Sequence, residues 1–394
     1  MLCIRSAEAR DAALALGERL LEETALPDAV DPNLERFANR ALNGPPGFAL
    51  AFLALGTATG DSRFEAAMHG QLRRAAHAQD RPLPGLFNGI SGLRGVAALA
   101  VAAEPRYRRL VERCDAYVEE IVAQRVPRRA ALYGEFDLMF GWSGMRLARC
   151  VRGPSDDDAL IELLAWVAGE DERWCCLHPL YPQDGPVNHL GMAHGIAGVL
   201  SALALTAGSP TASQEEIVRS CASRLAASRI CGRDGTLSWP RTAQDGERDP
   251  CRSVWCVGAG GIAIALLQAA QRLRDAELER FAVLALERMA ARPRDRWLMS
   301  QNGICHGTIG TALVFYVAAR RTGREDFARL SQRLAALTIE ELAANGGRVR
   351  TRGFDGAFYD AIGELNGIAG IVTGLLTIAG EFDPAWLHLH GMQP

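Results

Sequence analysis

The chain has 394 residues, 48% of them hydrophobic and 23% charged, with a formal net charge of −3. That composition excludes wholesale disorder, and the absence of a basic surplus argues against nucleic acid or an anionic membrane as the main partner. All 43 basic residues are arginine, which removes every mechanism that needs a lysine Schiff base or a P-loop lysine.

The chain opens MLCIRSAEARDAALALGERL, a charged amphipathic pattern with no apolar h-region, so no secretory signal is expected. Ten scattered cysteines then read as reduced cytoplasmic thiols rather than a disulfide framework. An amphipathic helix is predicted from about residue 7, and an apolar one follows a Gly-x-x-Gly pair at Gly44 and Gly47. The apolar stretch from Gly47, GFALAFLALGTATG, falls short of the roughly 18–20 residues of a membrane span.

The same couple then repeats down the chain. Amphipathic stretches begin near residues 61, 105, 156, 213, 275 and 325, each followed by an apolar run opened by a glycine pair. Those pairs are Gly89/Gly92, Gly141/Gly144, Gly195/Gly198, Gly258/Gly261, Gly307/Gly310 and Gly367/Gly370. Steps of 45, 52, 54, 63, 49 and 60 residues separate the first glycines. In the third amphipathic stretch Tyr107, Leu110, Val111, Cys114, Tyr117, Val118 and Ile121 form one stripe at helical spacing. Ser62 with Glu65, and Ser213 with Glu216, read as capping boxes. Runs such as GIAGVLSALALTAG from Gly195 are apolar all round, as expected of helices buried on every side.

Seven outer and seven inner helices with no intervening β-rich segment predict an all-α fold, an α/α toroid in which residues 1–394 form a single domain. An open solenoid would carry polar capping repeats at its ends, whereas the last run, GIAGIVTGLLTIAG, is as apolar as any other. The first glycine of each pair is expected to give the turn freedom in φ, the second to let crowded helix starts approach. Equivalent connections place all inner N-termini, and whatever precedes them, on one rim.

On that rim Asn43, Asn88 and Asn366 stand just before the first glycine as expected helix caps. Repeats four and six carry His194 and His306 there instead. One position earlier, repeats five and six carry Cys256 and Cys305, and Asp137 lies four residues before Gly141. The 49 residues between the cysteines equal one toroid step, so both sulfurs come from adjacent inner helices at one height. Two thiolates and an imidazole suit a zinc ion with an open fourth position; two buried free cysteines beside a capping histidine are the alternative. His194 as a cap, Asp137 as a helix-start acid and Arg252 as a surface cation are the bland readings of those three. Cys175, Cys176, Cys221, Cys231 and Cys251 have no ligand-like spacing, although Cys251 is the best spare ligand. His388 and His390 are expected to be solvated in a terminal tail, and the loop from Asp171 to Gly191 to overhang the cavity or simply connect.

WCVG from Trp255, CHGTIG from Cys305 and HLGMAHGIAG from His189 resemble motifs of the lanthionine synthetase C-like family, whose bacterial members include class I lanthipeptide cyclases (LanC). The resemblance spans essentially the whole chain. It implies an α/α toroid with Zn²⁺ held by Cys256, Cys305 and His306, an acid/base role for His194, and supporting roles for Asp137 (in DLMFGWSG) and Arg252. Val257 and Gly260 stand where the family often has a larger residue and proline, which bears on the cavity lining. The implied reaction is an intramolecular Michael addition of a precursor peptide's Cys thiols to dehydroalanine or dehydrobutyrine, giving lanthionine or methyllanthionine thioether rings in antibiotic-type peptides. The implied partners are the dehydrated peptide, a separate dehydratase and a transporter, because no dehydratase or kinase domain fits between the repeats. Two other readings remain at this point: a non-catalytic LanC-like peptide-binding scaffold, and another zinc-thiolate alkyl-transfer enzyme on an α-toroid, such as a prenyltransferase subunit, which would want a basic diphosphate site.

Overall fold

A computed structural model describes residues 6–25, 40–78, 83–124, 130–152, 158–177, 185–205, 211–232, 235–245, 252–352 and 358–394. Among them are fourteen α-helices, alternately outer and inner. The outer helices are α1 (Ser6–Thr24), α3 (Ser62–Ala76), α5 (Arg108–Ala123), α7 (Asp158–Gly169), α9 (Ala212–Ala227), α11 (Ala276–Ala291) and α13 (Glu325–Ala344). The inner ones are α2 (Pro45–Thr59), α4 (Ile90–Ala100), α6 (Trp142–Cys150), α8 (Ile196–Ala204), α10 (Ala259–Leu273), α12 (Thr308–Thr322) and α14 (Ile368–Ile378). Each inner helix packs on the next, and α14 packs back on α2, so the ring closes. The helix α1 fits against α2, α13 and α14 across the closure. No helix among the described residues is long and apolar enough to cross a membrane.

Burial follows the sequence pattern. Every residue of α8 and of α14 is buried, whereas α5 buries only Cys114, Val118 and Val122, with Tyr107, Leu110 and Val111 packed partly against the core. An outer helix needs one apolar stripe because only one side meets protein; an inner helix meets neighbours all round.

One turn recurs before the inner helices. The first helical N–H donates to the carbonyl seven residues back: Ile90 to Leu83, Trp142 to Glu135, Ile196 to His189, Ala259 to Arg252, Thr308 to Gln301 and Ile368 to Ala361. This turn corrects the expected role of the first glycine. Only Gly258, at φ 84°, uses the left-handed region, while the other six first glycines have ordinary extended φ. Their requirement is steric. A Cβ on Gly89 would lie 1.8 Å from the Leu83 carbonyl oxygen, the very acceptor of the turn. The second glycines act as expected: a Cβ on Gly370 would meet the Glu364 carbonyl oxygen at 1.8 Å and Ile304 of the neighbouring repeat at 2.9 Å.

Several local expectations shift. The cap of α3 is Asp61, and the capping box of α9 pairs Thr211 with Gln214, two residues before the expected Ser213. The asparagines of the rim do not cap their own helices, since Asn366 Oδ1 accepts from Gln301 and Asn88 Oδ1 has no hydrogen-bond partner. Asn43 instead accepts the Leu365 N–H at 2.7 Å, joining the last repeat to the first. Three short antiparallel hairpins, β1 (Cys175–Leu177) with β2 (Pro186–Asn188), β3 (Ile230–Cys231) with β4 (Leu237–Ser238), and β5 (Arg350–Arg352) with β6 (Phe358–Asp360), decorate outer-to-inner connections. Cys251 and residues 178–184 of the long fourth connection lie outside the described residues.

The C-terminal segment departs most from expectation. Residues Pro384–His390 form a 3₁₀ helix that packs on α4 and α6, and Trp386, Leu387, Leu389, His390 and Met392 are completely buried. His390 is therefore core, not solvated. Gly391, at φ 65°, places its carbonyl where Ser201 of α8 and Gln268 of α10 both donate to it. The segment fills the middle of the ring, where seven inner helices cannot themselves meet.

Candidate active site

The recurring turn fixes the height of each residue before its glycine, so the rim is built in layers. At the cysteine level, neighbouring turns are laced together. The N–H of Leu42 donates to the Leu86 carbonyl, Phe87 to Met139, Leu138 to Ala193, Ala193 to Cys256, and Cys305 to Leu365, over 2.8–3.2 Å. The Leu365–Asn43 bond completes this lacing. Among the described residues, no main-chain hydrogen bond joins the turn of Cys256 to the turn of Cys305. At that junction the two sulfurs meet instead.

Cys256 Sγ, Cys305 Sγ and a ring nitrogen of His306 lie within 4.8 Å of one another. His306 Nε2 is 3.9 Å from Cys305 Sγ. Tetrahedral zinc with ordinary bond lengths needs about 3.5–3.8 Å between such atoms, so small side-chain adjustments suffice, and the donor set suits a borderline-soft ion. Both cysteines are buried, each 7% exposed. A hydrogen bond from Cys305 holds the Cys256 thiol well below its ordinary range, and the charges of His306 and Arg252 add to this. The same bond and burial push Cys305 well up. A divalent cation bound between the two sulfurs would displace the thiol protons. By contrast, burial pushes the thiols of Cys114, Cys176 and Cys221 up to about 12, as expected for structural cysteines.

Behind His306 stands Gln301, whose Nε2 donates to Asn366 Oδ1 at 2.7 Å and lies 3.4 Å from His306 Nδ1. An imidazole binding metal through Nε2 carries its proton on Nδ1 and needs an acceptor there. Gln301 supplies one once its amide and that of Asn366 turn over together, so that Asn366 donates to the Gln301 oxygen in place of the present bond.

His194 and Asp137 also meet. His194 Nδ1 lies 2.7 Å from Asp137 Oδ2, while Asp137 Oδ1 accepts the Phe140 N–H at 2.7 Å. The carboxylate is completely buried and the imidazole about one-third exposed. Tyr133 and Phe140 flank the imidazole, each with ring centroids 5.6 Å from it. The Ala193–Cys256 hydrogen bond joins this turn directly to the first cysteine's turn. Arg252 sits at the start of that same turn, half-buried, its charge felt by both cysteines. Asp137 is held by Phe140 and His194 rather than by Arg252.

Tyr133, Phe140, Gln301 and the pair Glu364–His390 were not singled out from sequence. Phe140 was visible in principle, since it occupies the register that holds asparagine or histidine elsewhere. Gln301 was visible as well, since it holds the acceptor position of the recurring turn that Arg252 holds one repeat earlier, whereas Tyr133 lies in a connection of unequal length.

With seven glycine-led turns around a closed helical ring and a two-sulfur, one-imidazole cluster on its rim, comparison with known proteins is decisive on family. A model of the family described as lanthionine synthetase C-like protein matches residues 38–389. The chain belongs to that family. Among solved structures, nisin cyclase resembles this lanthionine synthetase C-like protein with a TM-score of 0.77, at 16% sequence identity, over 95% of this chain and 97% of that one. At that identity the likeness is one of fold. An α/α toroid is thus the architecture of both.

Proposed function

We propose that this lanthionine synthetase C-like protein is a zinc-dependent lanthipeptide cyclase that closes thioether rings in a dehydrated precursor peptide. The observation that carries the reading is the convergence of Cys256, Cys305 and His306 within 4.8 Å, in turns adjoining the Asp137–His194 pair. Zinc, held by those three side chains, would supply deprotonation of the peptide's cysteine thiol at neutral pH, where a free thiol is mostly protonated. Two thiolate ligands are rich electron donors, which keeps the substrate sulfur nucleophilic.

The protein's residues account for the remainder of the addition. The substrate sulfur bonds to the β-carbon of dehydroalanine or dehydrobutyrine, and the alkene π pair moves onto the adjacent carbonyl as an enolate. Asp137 accepts a hydrogen bond from Nδ1–H of His194 and so fixes the tautomer, assigning proton exchange to Nε2. His194 then delivers a proton to the α-carbon, having accepted one from the incoming thiol, so that no net proton is gained or lost. Arg252, beside the cysteine turn, offers a fixed positive charge to the enolate oxygen.

On this reading residues 1–394 act in the cytoplasm as one toroidal unit, which associates transiently with a transporter and with the separate dehydratase that supplies the peptide. The test is a ring count. Purified protein is incubated with a dehydrated peptide containing cysteines, and remaining thiols are alkylated and counted by mass. Loss of alkylatable thiols that depends on both zinc and protein supports the proposal; full alkylation after incubation with zinc-loaded protein rejects it.

A further inference from the structure

Under the rim, one layer below the two cysteines, lies a buried pair outside the proposed chemistry. Glu364 Oε1 is 2.9 Å from His390 Nε2, and both side chains have no solvent exposure. Neither carboxylate oxygen and neither ring nitrogen has a hydrogen-bond partner of good geometry, so each group depends on the other for compensation of its polarity. A buried charge or dipole without a partner is expensive, which makes this contact a strong constraint on where both chains run.

Three aromatic rings enclose the imidazole edge-on: Phe87 at 5.9 Å, Trp255 at 5.3 Å and Trp386 at 5.2 Å between centroids. Trp255 directly precedes Cys256, and its Nε1–H donates to the His390 carbonyl at 2.9 Å. Glu364 directly precedes Leu365, whose carbonyl accepts the N–H groups of both Ile304 and Cys305, at 2.8 and 3.0 Å. Each partner of the pair therefore grips the turn of one cysteine. The axial segment is itself anchored: Trp386 Nε1–H donates to Thr377 at 2.8 Å, and the Gln393 N–H donates to Gln268 at 2.8 Å.

We propose that Glu364 and His390 are positioning residues of the metal centre, clamping the turns of Cys256 and Cys305 at the ligand-to-ligand spacing across the one rim junction where, among the described residues, neither a main-chain bond nor the Asn43 side chain laces neighbouring turns. The inference rests on the zinc reading above but concerns residues that touch neither the ion nor the peptide. Supporting partners of metal ligands commonly change metal affinity by about 10- to 100-fold when removed. Core packing alone would lower stability and leave the ligand geometry unchanged.

The full chain, loaded with cobalt in place of zinc, reads that geometry directly through its thiolate-to-metal and d–d absorption bands. Glu364→Gln is expected to keep the far-ultraviolet circular dichroism of the parent, to shift those bands, and to lose metal to a competing chelator about tenfold faster or more. Should that variant not fold, the paired apolar replacement Glu364→Leu with His390→Phe restores buried volume without the clamp, and the same spectral shift and faster release are expected. Parent-like bands together with release within twofold of the parent, in whichever of the two variants folds, overturn the inference while leaving the zinc reading intact. A parent chain that takes up no cobalt overturns both.

Discussion

His194 Nδ1 lies 2.7 Å from the buried carboxylate of Asp137, and the two residues come from adjacent repeats 57 positions apart in sequence. The contact gives the imidazole one defined orientation between Tyr133 and Phe140. Asp137→Asn replaces an acceptor with an amide that can present a donor to Nδ1, favouring the other tautomer. His194→Ala is expected to slow ring closure by about 10²- to 10⁴-fold, the usual contribution of an acid/base group, and Asp137→Asn to slow it in the same direction. Both should retain one zinc per chain. Rates from thiol alkylation, read beside metal content, check this; an undiminished His194→Ala rate removes the assigned role.

Cys256 and Cys305 stand where, among the described residues, neighbouring turns share no main-chain bond, so a metal bound there would also link repeats five and six. An ion that binds the folded chain stabilises it by mass action, about 2.7 kcal/mol at a hundredfold excess over Kd. Chelation is expected to lower the unfolding temperature, zinc to restore it, and Cys305→Ala to lose the metal and respond to neither. Calorimetry with and without chelator measures the difference.

Asn43 supplies the side-chain bond that fastens the last repeat to the first. Asn43→Ala leaves the Leu365 N–H buried without its acceptor, a loss of about 1–3 kcal/mol. Urea denaturation should show that decrease as a lower midpoint with an unchanged slope. A midpoint equal to the parent's would mean that the ring closes by helix packing alone.

His388, on the axial segment, is held below the ordinary histidine range by burial, with the nearby charge of Arg321 adding to it and a hydrogen bond to the Ala385 carbonyl opposing it. The unfolded chain takes up this proton below about pH 6.5, whereas the folded chain resists until lower pH. Stability therefore falls as pH drops from about 7 toward 5. His388→Gln is expected to flatten the part of that decline due to this residue, as measured by denaturation midpoints at both pH values.

The repeat itself was legible because one physical demand recurs seven times. Each inner helix must enter a crowded ring, so glycine pairs mark the entries and apolar residues fill both faces. Register alone brought Cys256, Cys305 and His306 to one height, since the same turn precedes six of the seven inner helices, theirs included. Cap positions were less legible: Asp61 and Thr211 displaced the expected serines because several short polar residues in succession compete for one cap.

Sequence by itself therefore determined the helical alternation, the closed ring and the rim on which the reactive side chains stand, all of which follow from periodic local constraints. Tertiary structure alone decided that His390 enters the core, that Asn43 fastens the ring instead of capping a helix, and that Phe140 and His194 rather than Arg252 hold Asp137. These contacts join residues far apart along the chain, and their partners are set by how the ring's centre is filled. No local periodicity encodes that, because a short tail of interleaved apolar residues and histidines reads the same whether solvent or seven helices surround it.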